Sequence, residues 1–331
     1  MKFAISLPQE CSDGAFDPDA FAAYARRAEE LGFDSAWTQE QVLGPWPQLG
    51  ALETMTFAAA CTSRLRIGCS VFVSPLHQPV QLAKSLATLD QLSRGRLEIG
   101  FGTGGHGRPF AAFGIGPDHL VSRFTEGIQV MKACWTEPEA TLDGRFWQLK
   151  GATMEPKPFQ KPYPPLWIGG SAPAAVRRAA RVADGFFGAG STTTARFAEQ
   201  VQVLRAALAE HGAKPDGKPD AKLDAKPDAK PDAKPDDSGP AEFPVAKRVY
   251  IAVDEDTGRA RERMAAALVN VYGSAFGSGL LPVTVLGPPD ACAQGLREVA
   301  GAGAGMILLT ALFDQAVQME RLAAEVLPQL S

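Results

Sequence analysis

The sequence lacks the features that mark several classes of protein. No apolar run approaches the roughly 20 residues that a membrane-spanning helix needs. The formal net charge is -4, so no basic excess indicates a nucleic-acid or anionic-membrane partner. An alternating apolar segment, residues 2–7, predicts a first strand at the very start and leaves no room for a secretory signal. These absences predict a cytoplasmic protein.

Cysteine and histidine are also scarce. The five cysteines are odd in number and scattered, and no two of them form a Cys-x-x-Cys pair. The four histidines form no His-x-His or His-Glu-x-x-His motif. We therefore predict reduced, mostly buried thiols and no metal site.

What the chain does have is a long strand-helix-strand pattern over residues 65–105. Residues 67–73 have apolar side chains at alternate positions (67, 69, 71 and 73), three of them β-branched. Residues 80–92 carry leucines at helical spacing, and residues 96–101 resume a strand that runs into glycines. A connection of this length joins parallel strands, which need a sheet covered by helices. Parallel α/β enzymes keep their chemistry at the carboxyl ends of such strands.

The same alternation of strands and helices continues through the chain. Eight strands, each followed by a helical pattern, predict a (β/α)8 TIM barrel, and a doubly wound open sheet is the alternative if one strand is miscounted. A small hairpin is predicted at 144–149 and 152–156, before the fifth strand. The predicted strands are 2–7, 34–39, 67–73, 96–101, 165–170, 184–189, 247–253 and 305–311.

Residues 213–240 differ from the rest in composition. They repeat Lys-Pro-Asp with Ala or Gly, contain almost nothing apolar, and balance their charges. We expect a solvated, disordered low-complexity insertion within a single domain that covers residues 1–331.

Several long motifs make a family resemblance visible outside that insertion. They include AEELGFDSAWTQE, HQPVQLAKSLATLDQLSRGRLEIGFGTG and PPLWIGGSAPAAVRRAARVADGF. With these motifs the chain resembles the bacterial luciferase-like superfamily, and within it the coenzyme F420-dependent oxidoreductases. The resemblance implies a TIM barrel with insertions that binds F420 (a 5-deazaflavin) or FMN at the carboxyl ends of its strands. It implies hydride transfer, or oxygen insertion if the cofactor is FMN.

Three segments carry the residues that would hold this cofactor. Gly169, Gly170 and Ser171 precede a helix, where backbone N–H groups and a hydroxyl suit a phosphate. The alternative is a plain turn in which Ser171 caps the helix. The glycine-rich end of the fourth strand, Thr103 and Gly104, implies close approach of a flat ring, although such runs also mark tight turns.

The third strand contributes a further expectation from the resemblance. Relatives carry a non-proline cis peptide here that backs the cofactor ring, and the matching bond joins Ser70 to Val71. A regular strand in which Ser70 faces a polar pocket is the alternative.

Two residues are candidates for proton transfer. Glu40 closes the second strand, but Gln41 stands where relatives often have a histidine, and glutamine is not a general base. His106 follows the fourth-strand glycines and can exchange a proton near neutral pH. The alternatives are a solvated carboxylate and an exposed loop histidine. His77, at a helix start, suggests only capping or packing.

Substrate and partners are less defined. Trp46, Arg108, Phe110 and Phe113 are candidates for the substrate mouth, although the aromatic rings would equally cover the barrel rim. Outside the insertion arginine outnumbers lysine, a composition typical of the GC-rich genomes in which F420 enzymes are common. It favours F420, with an FMN monooxygenase served by a separate flavin reductase as the alternative and a cofactor-free barrel as a second one. The resemblance also makes a homodimer plausible.

Overall fold

A computed structural model describes residues 1–11, 15–44, 46–104, 110–116, 118–212 and 243–330. Eight parallel strands close into a barrel, which confirms the predicted (β/α)8 architecture. The order around the barrel is β1-β2-β3-β4-β7-β8-β9-β11, and β11 pairs with β1 to close it. The strands are β1 (Lys2–Ser6), β2 (Ser35–Thr38), β3 (Arg66–Val73), β4 (Leu97–Gly102), β5 (Ala140–Asp143), β6 (Gln148–Ala152), β7 (Leu166–Gly169), β8 (Gly185–Gly188), β9 (Val245–Val253), β10 (Val285–Gly287) and β11 (Met306–Thr310).

Helices cover the outside of the barrel, as a sheet that buries both faces requires. No helix in the described part of the chain is long and apolar enough to cross a membrane. The helices are α1 (Pro18–Glu30), α2 (Ala51–Cys61), α3 (Pro79–Leu92), α4 (Leu120–Thr136), α5 (Pro173–Val182), α6 (Thr194–Gly212), α7 (Thr257–Tyr272), α8 (Ser274–Gly277), α9 (Pro289–Gly301) and α10 (Gln315–Arg321).

The predicted hairpin exists, but its predicted position was wrong. β5 and β6 pair antiparallel, so residues 144–147 form the turn where the prediction began a strand. The carboxylate of Glu126 on α4 explains the difference, because it accepts the backbone N–H groups of Arg145, Phe146 and Trp147 at 2.7–3.1 Å. A contact from the preceding helix, outside the hairpin itself, therefore sets the position of this turn. The short β10, which pairs with β9, was not predicted at all.

The lower part of the barrel interior is solidly packed. Trp37 lies with its ring centroid 5.0 Å from that of Phe187 and 6.1 Å from that of Trp167. These rings pack edge-on against one another inside the barrel, and parallel barrels keep their binding sites above such a core, at the carboxyl ends of the strands. The inward-facing apolar cluster consists of Ala4, Trp37, Trp167, Phe187, Ala246, Met306 and Leu308.

A bulge in β3 shapes the upper interior. The bond from Ser70 to Val71 is a cis peptide, as expected from the resemblance, and the register with β4 shifts between Cys69 and Phe72. The bulge turns the Val71 side chain toward the glycines of two neighbouring strands. A Cβ on Gly102 would lie 2.7 Å from Val71 Cγ2, and one on Gly169 would lie 2.9 Å from Val71 Cγ1. These glycines therefore make room for a side chain of the protein itself.

A buried lysine lies on the other side of the sheet, between the barrel and α6. Lys247 is 3% exposed, and its ammonium donates to the carbonyls of Ala189 and Arg248 at 2.6 and 2.9 Å. Burial, together with repulsion from the Arg248 guanidinium, lowers the pKa of Lys247 to about 7.

We expect this lysine to make stability depend on pH. Above about pH 7 the folded chain releases a proton that the unfolded lysine keeps until about pH 10. The free energy of unfolding should therefore rise with pH in this window, by at most about 1.4 kcal/mol per pH unit relative to Lys247→Met. Urea unfolding of both proteins at several pH values measures this difference. The exposed Lys150→Met is the control, and a gap between wild type and Lys247→Met that stays constant with pH contradicts the expectation.

The contact between Val71 and the glycines predicts a second stability effect. Gly102→Ala should lower the free energy of unfolding by about 1–3 kcal/mol, because its methyl group overlaps Val71. The loss should be smaller in a Val71→Ala background, which removes the overlapping atoms. Gly301→Ala is the matched control, since nothing lies within 4 Å of its added Cβ. Equal losses in both backgrounds would show that Val71 does not cause the effect.

Candidate active site

A large cavity opens at the carboxyl ends of the barrel strands, above the packed aromatic interior. Its volume is about 1120 Å³, which exceeds the range of roughly 300–1,000 Å³ that is usual for a single small ligand. The cavity brings together every described residue that the sequence analysis assigned to cofactor binding or catalysis. These residues are Glu40, Ser70, Val71, Thr103, Gly104, Gly169, Gly170 and Ser171.

The expected phosphate loop lies at one end of this cavity. Gly169 ends β7, and the exposed Ser171 lies two residues before α5, which begins at Pro173. The N-cap of α5 is Ala172, so the alternative in which Ser171 caps the helix is wrong. The Ser171 carbonyl accepts a hydrogen bond from Gln200 at 2.9 Å, which fixes the loop against α6.

Arg178 belongs to this end of the cavity, and the sequence analysis missed it. It lies on α5 and lines the cavity, with its guanidinium 5.7 Å from the centre of the Phe124 ring. Burial and the nearby Arg181 lower the pKa of Arg178, and no other described residue makes a hydrogen bond or ion pair with it. An anion beside the glycine loop would therefore find a cation that has no counter-ion in the described chain.

A second arginine forms the floor of the cavity. Arg248 on β9 is only 7% exposed, and its guanidinium donates to Gln39 Oε1 at 2.6 Å. It also donates to Ser70 Oγ at 2.7 Å and to the Ser70 carbonyl, next to the cis peptide. All three acceptors are neutral, so a full positive charge remains at the floor.

Two tyrosines continue this polar floor toward the solvent. The hydroxyl groups of Tyr250 and Tyr272 lie 2.6 Å apart, and that of Tyr272 donates to Gln39 Oε1 at 3.3 Å. Burial and the proximity of Tyr272 raise the pKa of Tyr250 well above its usual range, which keeps that hydroxyl protonated. The ring of Phe276 packs edge-on against Tyr272, with 6.0 Å between centroids, and is 55% exposed.

Glu40 lies in the wall between the main cavity and a smaller one of about 510 Å³. Its carboxylate is 6% exposed and is fully engaged: Oε2 accepts the Val73 N–H at 2.6 Å, and Oε1 lies 2.8 Å from His77 Nε2. His77 therefore does more than the capping or packing that its sequence position suggests. The alternative in which Glu40 is a solvated carboxylate at a strand end is therefore wrong, because its side chain is buried.

The remaining sequence candidates have different outcomes. His106 and Arg108 lie outside the described residues, so their predicted roles stay predictions. Of the aromatic candidates for the substrate mouth, Phe110 lines the cavity, whereas Trp46 and Phe113 do not.

Solved structures with this fold match the chain along its length. A monooxygenase from Streptomyces bottropensis, RslO1, superposes with a TM-score of 0.79 at 24% identity and covers 100% of both chains. An F420-dependent secondary alcohol dehydrogenase in complex with an F420-acetone adduct superposes with a TM-score of 0.77 at 17% identity, covering 100% of this chain and 99% of its own. Identities this low show the shared fold alone.

Curated relatives match more closely in sequence, but over shorter stretches. The F420-dependent glucose-6-phosphate dehydrogenase of Beutenbergia cavernae is 35% identical over 222 residues, which are 64% of this chain and 64% of the relative. The FMNH(2)-dependent dimethylsulfone monooxygenase of Pseudomonas putida is 31% identical over 204 residues, 60% of this chain and 56% of the relative. Each alignment thus spans less than two thirds of the relative's own length.

The sequence profile of the luciferase-like monooxygenase family matches residues 1–305 of this chain. That span contains every strand of the barrel except the last, together with all the cavity residues named above. The resemblance predicted from the sequence motifs is thereby confirmed. The chain belongs to the luciferase-like monooxygenase family.

Proposed function

We propose that this protein is an oxidoreductase that uses a flavin or deazaflavin, with coenzyme F420 as the favoured cofactor and FMN as the alternative. One observation carries the proposal. The seven residues assigned to the cofactor from the sequence come from three separate parts of the chain, yet all of them line one cavity. A ring-and-phosphate cofactor needs such a cavity, with an anion site at one end and a flat surface further in.

The residues present fit a cofactor of this kind. Arg178 and the loop of Gly169, Gly170 and Ser171 would hold its phosphate, because a cation with no counter-ion among the described residues and a helix N-terminus line the same cavity. The bulged backbone at Ser70 and Val71 would lie against the ring, beside Thr103 and Gly104. The cavity volume leaves space for a substrate as well.

The cofactor would supply hydride exchange, and the protein would supply binding, orientation and electrostatics. The Arg248 guanidinium places a positive charge at the cavity floor, which favours electron-rich groups bound above it. Trp37, Trp167 and Phe187 belong to a buried apolar cluster inside the barrel, which would give the cofactor site a low-dielectric surrounding on that side. Glu40, held by His77, and His106 remain our candidates for holding or moving a proton.

The relatives support both cofactor alternatives. Proteins named as F420-dependent dehydrogenases and an FMNH(2)-dependent monooxygenase are each about 30–35% identical to this chain over the aligned part. The arginine-rich composition favours F420. An FMN enzyme of this kind would need a separate flavin reductase as its partner.

We also propose the organisation expected from the sequence. The protein would be a single cytoplasmic domain over residues 1–331 that forms a homodimer. The insertion at 213–240 would be dispensable for cofactor binding. Replacing 213–240 with a shorter Gly-Ser linker should leave cofactor affinity and the unfolding midpoint unchanged within error. A large loss of either one would show that the insertion contributes to the domain.

The central test is titration of the purified protein with F420 and with FMN. We expect the visible absorption spectrum of one of them to shift on binding, with a Kd below about 100 μM. Tighter binding of F420 supports the favoured alternative, and tighter binding of FMN supports the monooxygenase alternative. If neither binds in this range, the cofactor-free barrel is the better description and the proposal fails.

The phosphate site gives a sharper test. Arg178→Gln should weaken cofactor binding about tenfold or more, since a charge-assisted hydrogen bond contributes about 1.5–3 kcal/mol. The adjacent Arg177→Gln is the matched control, because Arg177 is exposed on the same helix and does not line the cavity. Similar affinities for the two variants would place the phosphate somewhere else.

A further inference from the structure

The outer part of the main cavity is apolar, in contrast to its floor. Side chains from the segment before α4 and from the start of that helix line one part of the opening, and residues at the end of α7 and in α8 line another. These two groups follow β4 and β9, which are separated in the barrel by β7 and β8. We call the following residues the apolar mouth: Phe110, Ile115, Leu120, Val121, Tyr272 and Phe276.

Parts of the apolar mouth are unusually exposed for such large side chains. Phe276 is 55% exposed and Val121 is 48% exposed, although both line the cavity. Apolar groups that converge on one opening without being covered are typical of a site that binds an apolar partner.

The charged side chains of the cavity lie away from the apolar mouth. The charged side chains that line the cavity in the described part of the chain are Glu40, Arg178 and Arg248. Two of them already have partners in the protein, since Glu40 binds His77 and Arg248 binds Gln39 and Ser70. Arg178 belongs to the phosphate loop. A charged group held within the apolar mouth would lose its hydration without gaining a counter-ion among the described mouth residues, because the uncancelled charge of Arg248 lies at the floor.

Tyr272 marks the change between the two regions. Its ring packs against Phe276 in the mouth, while its hydroxyl contacts Tyr250 and Gln39 at the floor. A molecule that follows this surface needs an apolar body and one electron-rich polar group, such as a carbonyl or hydroxyl oxygen, at its inner end, where the Arg248 charge and the tyrosine hydroxyls lie.

We propose that the substrate of this enzyme is uncharged and carries a bulky apolar body, such as a cyclic or branched ketone or alcohol. This inference rests on the proposed function, because it assigns the cofactor to the phosphate-loop end and the substrate to the apolar mouth. A sugar phosphate has no such apolar body, so we expect it to bind poorly in the apolar mouth.

Binding of a neutral fluorescent dye, N-phenyl-1-naphthylamine, tests the proposal in the full chain. Neutral ketones of increasing size, from acetone through cyclohexanone to 4-phenylcyclohexanone, should displace the dye with rising affinity, roughly fourfold for each buried methylene equivalent. Glucose 6-phosphate should not displace it. A flat series of ketone affinities, or displacement by glucose 6-phosphate as strong as by the largest ketone, overturns the proposal.

Substitutions in the apolar mouth test whether the dye and the ketones bind there. Phe276→Asp and Val121→Asp should each weaken dye binding about tenfold or more, because each places a charge in the apolar mouth. Phe159→Asp and Val317→Asp are matched controls at side chains that are 53% and 59% exposed and lie outside the cavity lining. Unchanged affinity in the mouth variants, or equal losses in the controls, contradicts the assignment.

Titrations with and without cofactor separate this proposal from the proposed function. If neither F420 nor FMN binds but the ketone series and the variants behave as expected, the apolar mouth is correct and the cofactor assignment fails. If a cofactor binds but the ketones do not compete with the dye in size order, the cofactor assignment stands and the substrate class is wrong.

Discussion

The architecture of the site depends on one buried cation. Arg248 reaches from β9 to Gln39 after β2 and to Ser70 in β3, so it joins segments that lie 209 and 178 residues apart in sequence. An arginine cannot lose its charge inside a protein, and burying that charge is costly unless its donors are satisfied. Gln39 and Ser70 satisfy those donors without cancelling the charge. The positive floor of the cavity is thus a direct result of which oxygens surround the guanidinium.

The glycines around Val71 show how a backbone irregularity is accommodated. Sequence reasoning connected the glycine-rich end of β4 with the approach of a ring and that of β7 with a phosphate. The structure adds a closer cause for two of them, because Gly102 and Gly169 lie where a methyl group would overlap Val71. Local conformation, packing between three strands and the shape of the cavity therefore depend on the same few atoms.

The sequence predicted the barrel well because its strands are buried on both faces and read as short apolar runs between glycine or proline signals. The loops at Ser70, Thr103 and Gly169 were recognised through the family resemblance, because small residues at strand ends also occur in ordinary tight turns. Arg248 was missed for a physical reason. In β9 the run KRVYIAV reads simply as a buried strand, and the direction of each side chain depends on the register with β8 and β11. The contact between His77 and Glu40 joins two loops that are 37 residues apart, so no local pattern reveals it. The position of the hairpin was predicted wrongly because its turn is set by Glu126, which lies on another element.

The position of Glu40 has a consequence for the boundary between the two cavities. One carboxylate, pinned by an imidazole and a backbone amide, is part of the boundary between two chambers of about 1120 and 510 Å³. The smaller chamber is lined by residues of the loops that lead into α2 and α3, and this carboxylate lies between it and the main cavity. Loss of this carboxylate would therefore remove part of the partition between the two chambers.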